Sequence, residues 1–406
     1  MENGYRNLFR GVLWRVLPVD IKAKREISRD RKVWKKGKSD PERHLKETGS
    51  WLCRAQDACE GGGVARGYKV AKYWGYGPPG WQPAYPETTG YIIPTFFALS
   101  RFLKDKSYRA RALRMADWEI AIQMESGAVM GGVVGLSPSP AVFNTGQVIF
   151  GWMAAYRETG HLKYLEAASK AGDYLVRVQE RDGVWRKGNS RYAKAETTTY
   201  NARAAWSLIA LGLEKKDDRY VDAGRRNIEA VLSKQRENGW FEDNCLSDPQ
   251  KPLLHTIVYA TRGVLEAGIL LQEKMFVNAA LKTLRALTFC QRRDGGIPGR
   301  LSSSWAPEAK WDCVTGNAQA AIAWFRAEKI TGDSLFGEAA RSAVDFVKET
   351  QNLESNDPAI RGGVKGSYPF DGQYAPFELI NWAAKFTCDA LLLSMDSLLA
   401  VEGIKG

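Results

Sequence analysis

Histidine and paired cysteine are scarce in this sequence, which weighs against several classes of site. The 406 residues include only three histidines, His44, His161 and His255. The six cysteines are scattered, and no two stand in the Cys-x-x-Cys spacing that is typical of zinc and redox sites. We therefore expect reduced thiols without disulfides in a cytoplasmic protein, with no metal and no cofactor.

Long apolar runs are missing as well. No stretch of the sequence approaches the roughly 18 consecutive apolar residues that a membrane-spanning helix needs. The first ten residues, Met-Glu-Asn-Gly-Tyr-Arg-Asn-Leu-Phe-Arg, lack the continuous apolar segment and the small-residue cleavage site of a signal peptide. The sequence favours a protein that stays in the cytoplasm and is at most peripheral to a membrane.

Positive charge is in excess and is unevenly placed. The formal net charge is +12, and a large share of it lies before residue 46. Arg6, Arg10 and Arg15 alternate at helical spacing with apolar residues, which predicts a basic amphipathic arm over residues 1–45. Two interpretations stay open, namely an arm packed on the outside of the main domain, and a helix that binds a membrane surface or a glycosyltransferase partner. The charge comes without a recognition motif, so we expect no nucleic-acid partner.

A repeat of glutamines is the most informative feature that is present. Gln123, Gln179, Gln235 and Gln291 follow one another at intervals of 56 residues, each with a glycine four residues later. Gln56 and Gln351 extend the series on either side, at slightly longer intervals. A fixed period of this size, filling the chain six times, predicts a repeat architecture.

Each copy combines two helices of different character. A charged, amphipathic helix runs up to the glutamine, and a more apolar helix follows after a connection rich in glycine and aromatic residues. The apolar helices are predicted to begin near Tyr91, Gln147, Tyr200, Ile257, Asn317 and Leu379. Six such hairpins predict an all-α fold, an (α/α)6 toroid over residues 46–400, with a linear helical solenoid as the alternative. Removing the residues before about Lys46 should then leave the toroid folded.

Connection lengths indicate which face of the toroid is functional. The turns that follow the apolar helices are short, whereas the connections that precede them run to about 20–35 residues, and long loops on a rigid scaffold usually carry function. The N-termini of the six apolar helices should share that face, where their dipoles favour anions. We expect a funnel there that accepts a saccharide, in particular an acidic one.

Carboxylates recur just before the apolar helices. Glu196, His255 and Asp312 fall at one equivalent position of the repeat, and Glu87 falls one residue later. Glu87, Glu196 and Asp312 are therefore the candidate catalytic residues. The alternative for each acid is a helix cap, since carboxylates are favoured at helix N-termini in any case.

Aromatic, amide and cationic residues around the same face are candidates for substrate binding. Aromatic rings suit the C–H faces of sugars, and two arginines at equivalent positions could hold a substrate carboxylate. The predicted set is Trp81, Tyr85, Tyr91, Asn144, Gln147, Tyr200, Asn201, Arg203, His255, Tyr259, Arg262, Trp311, Asn317, Asp371, Tyr374 and Asn381.

Several motifs carry a resemblance to known toroids. The segment Gly-Asp-Tyr-Leu-Val-Arg-Val-Gln-Glu-Arg-Asp-Gly-Val-Trp at 172–185 resembles the QW repeat of terpene cyclases and prenyltransferases. The Asp-x-Asp-Asp acid motif of squalene-type cyclases is absent, and the prenyltransferase zinc ligands are not matched.

Three other segments, at 85–95, 143–151 and 374–386, resemble the six-hairpin glycosidase superfamily and, within it, toroid proteins associated with bacterial exopolysaccharide synthesis. The resemblance covers about residues 45–396 and implies a carbohydrate substrate. Toroidal uronate lyases and glucuronyl C5-epimerases share the scaffold.

Three functions follow from these observations. The first is hydrolysis of a poly- or oligosaccharide, with Glu87 as the acid, desolvated by its aromatic neighbours. Glu196, kept ionised by Arg203, would be the base or nucleophile, with Asp312 as its substitute. The second is a uronate lyase or C5-epimerase, with a base chosen from Tyr91, Tyr200, Tyr259 and His255, and with Arg203, Arg262, Asn144 or Asn201 neutralising the substrate carboxylate. The third is a non-catalytic glycan-binding partner in exopolysaccharide synthesis.

Overall fold

The fold consists mainly of helices that run in two concentric rings. The computed structural model describes residues 21–32, 40–71, 78–190, 193 and 195–395. The α-helices of these residues are α1 (Ile21–Asp30), α2 (Pro41–Asp57), α3 (Pro86–Leu103), α4 (Lys106–Ala121), α5 (Val142–Thr159), α6 (Leu162–Val178), α7 (Ala202–Lys215), α8 (Asp218–Leu232), α9 (Leu254–Leu271), α10 (Lys274–Thr288), α11 (Val314–Thr331), α12 (Ser334–Thr350) and α13 (Asn381–Ser394). The short strands are β1 (Gly67–Lys69), β2 (Gly80–Trp81), β3 (Asp312–Cys313), β4 (Ser367–Tyr368) and β5 (Glu378–Ile380).

The odd-numbered helices from α3 to α13 form a closed inner ring, and the even-numbered helices from α2 to α12 surround it. Each inner helix contacts the next one, and α13 contacts α3. The first outer helix, α2, packs against the last inner helix, α13, so elements from the two ends of the chain complete the ring. The predicted (α/α)6 toroid is confirmed, and the linear solenoid is excluded.

Short turns join each inner helix to the outer helix that follows it. Lys104 ends α3 in a left-handed conformation (φ 55°), and the Asp105 carboxylate accepts the amide of Ser107 at 2.8 Å to begin α4. Asp217 and Asp333 cap α8 and α12 in the same way. Because these turns occupy one end of the toroid, the long connections meet at the other end, as predicted.

Two small sheets tie the long connections together at that end. Strand β1 pairs with β5, with Tyr68 opposite Leu379, and β3 pairs with β4, with Asp312 opposite Tyr368. Several inner helices begin earlier than predicted, because the extended connection ends sooner. Helix α3, for example, begins at Pro86 rather than near Tyr91, and proline is favoured in a first helical turn.

The repeated glutamines hold neighbouring copies together. The side-chain amide of Gln291 donates to the carbonyl of Gly295 in its own connection and to that of Ala339 in the next outer helix, both at 3.0 Å. Gln123, Gln179 and Gln235 make the corresponding pairs of hydrogen bonds. In the last copy, Gln351 donates to Thr48 of the first outer helix. The 56-residue period therefore reflects an inter-repeat hydrogen bond.

We expect Gln291→Met, which keeps the length of the side chain but removes both donors, to lower the free energy of unfolding by about 1–3 kcal/mol, because two carbonyls lose their partner. Urea denaturation measures this change. The matched control is Gln250→Met on an exposed loop, which should change stability by less than about 0.5 kcal/mol. If Gln291→Met and Gln250→Met changed the free energy of unfolding equally, the repeated glutamine would not have the stabilising role that we assign to it.

Part of the predicted N-terminal arm packs on the toroid. Helix α1 lies against the connection between α12 and α13, where Lys22 pairs with Asp357 and Arg31 pairs with Asp371. The predicted domain boundary at 45/46 falls inside α2, which begins at Pro41 after its Asp40 cap. The predicted amphipathic segment over residues 6–17, with its membrane or glycosyltransferase contact, lies outside the described residues. In the part of the chain that is described, no helix combines the length and apolar character needed to cross a bilayer.

Candidate active site

A cluster of buried polar and aromatic side chains fills the centre of the ring beneath the long connections. It combines residues of the first two turns of the inner helices with three residues that precede those helices, and we call it the central cluster. Its members are Tyr85, Glu87, Tyr91, Phe143, Tyr200, Arg203, His255, Tyr259, Tyr374, Trp382 and Phe386.

Ring contacts join these residues into one unit. The ring of Tyr259 lies 5.1 Å from Phe143, 5.4 Å from His255 and 5.9 Å from Phe386, measured between centroids. Helices α5, α9 and α13 supply these side chains, so the contact spans the whole ring. The structure thus brings together Tyr85, Glu87, Tyr91, Tyr200, Arg203, His255, Tyr259 and Tyr374 from the predicted set.

Glu87 is the carboxylate of this cluster. It is 9% exposed, and its Oε2 accepts a hydrogen bond from the Tyr85 hydroxyl at 2.7 Å. Burial raises the pKa of Glu87 to about 7, although the Tyr85 hydrogen bond and the charge of Arg203 act in the opposite direction. A carboxyl group with a pKa near neutrality can both give and take a proton.

His255 lies in the same cluster as a neutral imidazole. Its ring is 5.4 Å from that of Tyr259 and 5.1 Å from that of Tyr374. Burial, and secondarily the positive charge of Arg300, lowers the pKa of His255 to about 3. Neither ring nitrogen has a hydrogen-bond partner among the described residues. The imidazole can therefore accept or donate a hydrogen bond to a ligand, but it is a weak base.

Three tyrosines of the cluster, Tyr91, Tyr200 and Tyr374, have a raised pKa and hold their protons. Burial raises the pKa of Tyr91 and of Tyr374 well above the ordinary value, and it raises the pKa of Tyr200 as well. The Tyr374 hydroxyl accepts a hydrogen bond from Nε1 of Trp382 at 2.9 Å. These phenols are suited to donating hydrogen bonds rather than to removing protons.

Arg203 is buried beneath the cluster rather than exposed in a pore. Its side chain is fully buried, and its Nε donates to Oε1 of Gln147 at 2.5 Å. The guanidinium carbon lies 5.2–5.5 Å from the ring centroids of Phe150, Trp206, Tyr259 and Phe386. Aromatic rings thus enclose the cation, and the role of Arg203 in holding a substrate carboxylate stays a prediction.

Arg262 is enclosed in the same way. It is 2% exposed, stacks over Trp206 at 5.2 Å, and lies 3.6 Å from the carboxylate of Glu266. Glu266 in turn binds Arg326 through both oxygens. Arg262 thus belongs to a buried ion network one turn below the cluster, and its contact with substrate stays a prediction.

Glu196 and Asp312 do not join Glu87. The Glu196 side chain is 76% exposed and pairs with Nε of Arg186 at 3.1 Å, so the expected pairing of Glu196 with Arg203 is wrong. The connection bends outward before the helical turn that starts at Thr199. Asp312 is buried, but both its oxygens are bound by Arg292, at 2.7 and 2.8 Å. A bidentate arginine gives Asp312 a structural role.

The predicted amides mostly anchor the long connections. Asn144 donates to the carbonyl of Met130, Asn317 exchanges hydrogen bonds with the backbone of Ile297, and Asn381 donates to the carbonyl of Ala65. These asparagines lie at the starts of α5, α11 and α13, so they fasten the connections to the inner helices. Asn201 is likewise buried, in the turn before α7.

Three other predicted residues lie away from the cluster's centre. Trp81 is partly exposed and packs against Trp51 and Tyr68, each at 5.2 Å between centroids. Trp311 is 7% exposed. Asp371 pairs with Arg31 of α1 at 2.6 Å, so it is engaged in the attachment of that helix.

Sequence reasoning missed several residues of the cluster and its rim. Phe143 and Trp382 each adjoin a predicted asparagine, which is the signal that could have identified them. Arg66 lies 5.2 Å from the centroid of Trp382 and donates to Glu378 at 2.6 Å. Its side chain is 26% exposed, so it adds a positive charge to the rim. Within the described ranges, no three His, Cys, Asp or Glu side chains lie close enough to hold a metal ion.

Comparisons with known proteins identify the fold. No protein-family model matches the chain, and no curated protein matches it. Among solved structures, an unsaturated glucuronyl hydrolase from Bacillus sp. GL1 is similar with a TM-score of 0.69 and 14% identity, over 87% of this chain and 96% of that chain.

A cellobiose 2-epimerase from Bacillus thermoamylovorans has a TM-score of 0.68 at 14% identity, over 86% of this chain and 97% of that chain. A D-mannose isomerase has a TM-score of 0.66 at 13% identity, over 89% and 99%. The resemblance to six-hairpin glycosidase-like toroids is thus confirmed at the level of the fold.

Proposed function

We propose that the chain is an enzyme that acts on a carbohydrate, with the central cluster as its active site and Glu87 as its acid–base residue. The observation that carries the proposal is the environment of Glu87, a buried carboxyl group with a pKa of about 7 that is bonded to Tyr85. In the described part of the cluster the tyrosines of raised pKa hold their protons, and His255 is too weak a base. Glu87 therefore has the pKa best matched to proton transfer near neutral pH.

The reaction that we propose first is hydrolysis of a glycosidic bond. The carboxylic acid of Glu87 would give its proton to the glycosidic oxygen as the bond from that oxygen to the anomeric carbon breaks. Water then adds to the anomeric carbon, and the proton that this water loses restores Glu87 through the solvent. A ring nitrogen of His255 can orient the water as a hydrogen-bond acceptor. Hydrolysis by a carboxylate pair needs a second acid, and the ion pairs of Glu196 and Asp312 make them poor candidates.

The substrate that we propose is an acidic poly- or oligosaccharide. The exposed part of Arg66 places a cation above Trp382, and the first turns of the inner helices point their N–H groups toward the same face. Structures of similar fold include a mutant unsaturated glucuronyl hydrolase from Streptococcus agalactiae in complex with dGlcA-GalNAc6S. The resemblance to exopolysaccharide-associated toroids makes uronate-containing bacterial polysaccharides the first substrates to test.

A second candidate is proton transfer at a sugar carbon, as in epimerisation or elimination. The specific observation in its favour is that Glu87 is the single carboxylate of the central cluster as its described residues define it. A single group can remove a proton from carbon and return it, whereas hydrolysis usually employs two carboxylates. Epimerase and isomerase structures share the fold.

Product analysis distinguishes these candidates. The protein is incubated with uronate-containing oligosaccharides in ¹⁸O-water and, separately, in D₂O. We expect shorter saccharides with one ¹⁸O at the new reducing end, because hydrolysis adds water to the anomeric carbon. Deuterium at a ring carbon without chain shortening would indicate epimerisation, and ultraviolet-absorbing unsaturated ends would indicate elimination. Tight binding of a saccharide without any chemical change would contradict the proposed enzymatic activity and would indicate a glycan-binding protein.

A further inference from the structure

Helix α1 is fastened to the toroid through buried charges. The ammonium of Lys365 is 1% exposed and binds the carboxylates of Asp30 and, at 3.1 Å, Glu26. The Asp30 side chain is itself fully buried. Its second oxygen accepts the backbone amide of Phe370 at 2.9 Å, and its carbonyl accepts the Tyr368 hydroxyl at 3.1 Å. Asp30 therefore fixes the connection between α12 and α13 at three points.

The segment that follows this attachment has an unfavourable backbone. Ala375 and Phe377 have φ values of 47° and 59°, in the left-handed region that residues with a side chain rarely adopt. The amide of Tyr374 donates to Oγ of Ser367 at 2.9 Å, and the amide of Phe377 donates to the carbonyl of Phe370 at 3.0 Å. Strained backbone of this kind persists only where its surroundings hold it.

The same strained turn brings Tyr374 into the central cluster. Its hydroxyl meets the indole N–H of Trp382 at 2.9 Å, and its ring lies 5.1 Å from that of His255. A continuous set of contacts therefore runs from Asp30 through Phe370 and Phe377 to Tyr374. If Asp30 did not bind the Phe370 amide, the turn from Tyr374 to Phe377 would lose one of the contacts that stabilise its left-handed backbone conformation.

We infer that α1 is a positioning element of the active site, in which Asp30 holds the turn from Tyr374 to Phe377 and so sets the place of Tyr374 against His255 and Trp382. Its consequence for catalysis rests on the proposed function of the cluster, whereas the positioning itself does not. Asp30 is not a member of the cluster, and it acts through Lys365, Tyr368 and Phe370.

Hydrogen exchange in the full chain tests the positioning directly. Asp30→Ala removes the acceptor of the Phe370 amide, and we expect exchange on the order of ten-fold faster in peptides covering residues 367–377, with little change in α5 to α9. Asp30→Asn keeps one acceptor oxygen but loses the charge that compensates Lys365, so we expect it to restore only part of the protection. Lys22→Ala, on the same helix and with an exposed partner on the same connection, is the matched control and should leave residues 367–377 unchanged.

A second readout reports on the cluster itself. In protein labelled with 5-fluorotryptophan, the ¹⁹F signal of Trp382, assigned with Trp382→Phe, should shift or broaden in Asp30→Ala, change less in Asp30→Asn and stay in place in Lys22→Ala. If Asp30→Ala proves poorly folded, Tyr368→Phe, which removes only one hydrogen bond to α1, should give a smaller change of the same kind.

Two outcomes would overturn the inference, namely unchanged exchange at 367–377 in Asp30→Ala, or faster exchange that is spread evenly over the toroid. With a saccharide that the wild-type protein converts, Asp30→Ala should lower kcat several-fold, whereas Lys22→Ala should leave kcat unchanged. Because the exchange and ¹⁹F measurements need no substrate, they decide the role of α1 even if the proposed reaction is wrong.

Discussion

Glu87→Gln is expected to lower turnover on the true substrate by about 10²–10⁴-fold, the contribution that a general acid or base typically makes. Glutamine keeps the shape of the side chain and can still accept the hydrogen bond from Tyr85, but it cannot transfer a proton at neutral pH. Steady-state kinetics should therefore show the loss in kcat rather than in KM.

The same substitution should not destabilise the protein. The folded-state pKa of Glu87, about 7, lies above the ordinary value of 4.5, so the protonated group favours the folded state. That contribution is complete below pH 4.5 and is lost as the pH rises through 7. Relative to wild type, Glu87→Gln should be more stable at pH 8 than at pH 5, as thermal unfolding at the two pH values would measure. A loss of activity then cannot be attributed to unfolding.

The matched control for Glu87→Gln is Glu196→Gln. The change in chemistry is the same, but the Glu196 side chain is 76% exposed and paired with Arg186. Glu196→Gln should therefore alter kcat by less than about two-fold and the free energy of unfolding by less than about 0.5 kcal/mol. Near-normal turnover in Glu87→Gln would instead assign that carboxylate a structural role and remove it from the mechanism.

The architecture could be predicted because its determinant repeats in the sequence. The amide of Gln179 donates to Gly183 and to Ala223 of the next outer helix, and the same need arises in every copy. A side chain that is required once per copy leaves a period that is visible without any structure. The helix starts were less predictable, because nothing local distinguishes an extended connection from a first helical turn.

The site was predictable only where a residue's environment is set by its own segment. Glu87 lies in the first turn of α3, two residues after Tyr85, so neighbours in the sequence desolvate it as expected. The environments of Arg203 and Asp312 are set by residues distant in the sequence. The rings around Arg203 come from four inner helices, and Arg292 reaches Asp312 from the preceding helix end. Repeat alignment identifies equivalent positions, but it does not reveal which of them face outward.

The N-terminal arm shows most clearly how a partner that is distant in the sequence determines the environment of a residue. The acidic residues of the arm lie in a highly charged segment, which is typical of a protein surface. The sequence therefore predicts that the toroid folds without the arm. Glu26 and Asp30 are nevertheless buried, at 5% and 7% exposure, because their partner Lys365 lies more than 300 residues later. A lysine that is 1% exposed depends on those two carboxylates for its charge compensation.

We therefore expect deletion of residues 1–32 to lower the free energy of unfolding by about 3–5 kcal/mol, because removing the partners of a buried charge leaves it uncompensated. Urea denaturation would show a lower midpoint, since the slope reports the surface exposed on unfolding and should change little. Deletion of residues 1–20 alone, which retains α1, is the control that isolates this helix.

Replacing Lys365 by methionine in the 1–32 deletion should restore part of the loss, because an apolar side chain of similar length needs no partner. If the 1–32 deletion were as stable as the 1–20 deletion, α1 would be an appendage, and the original expectation that the toroid folds without its arm would hold. If only the 1–32 deletion lowered the stability, and Lys365→Met restored part of it, α1 would be an integral part of the domain.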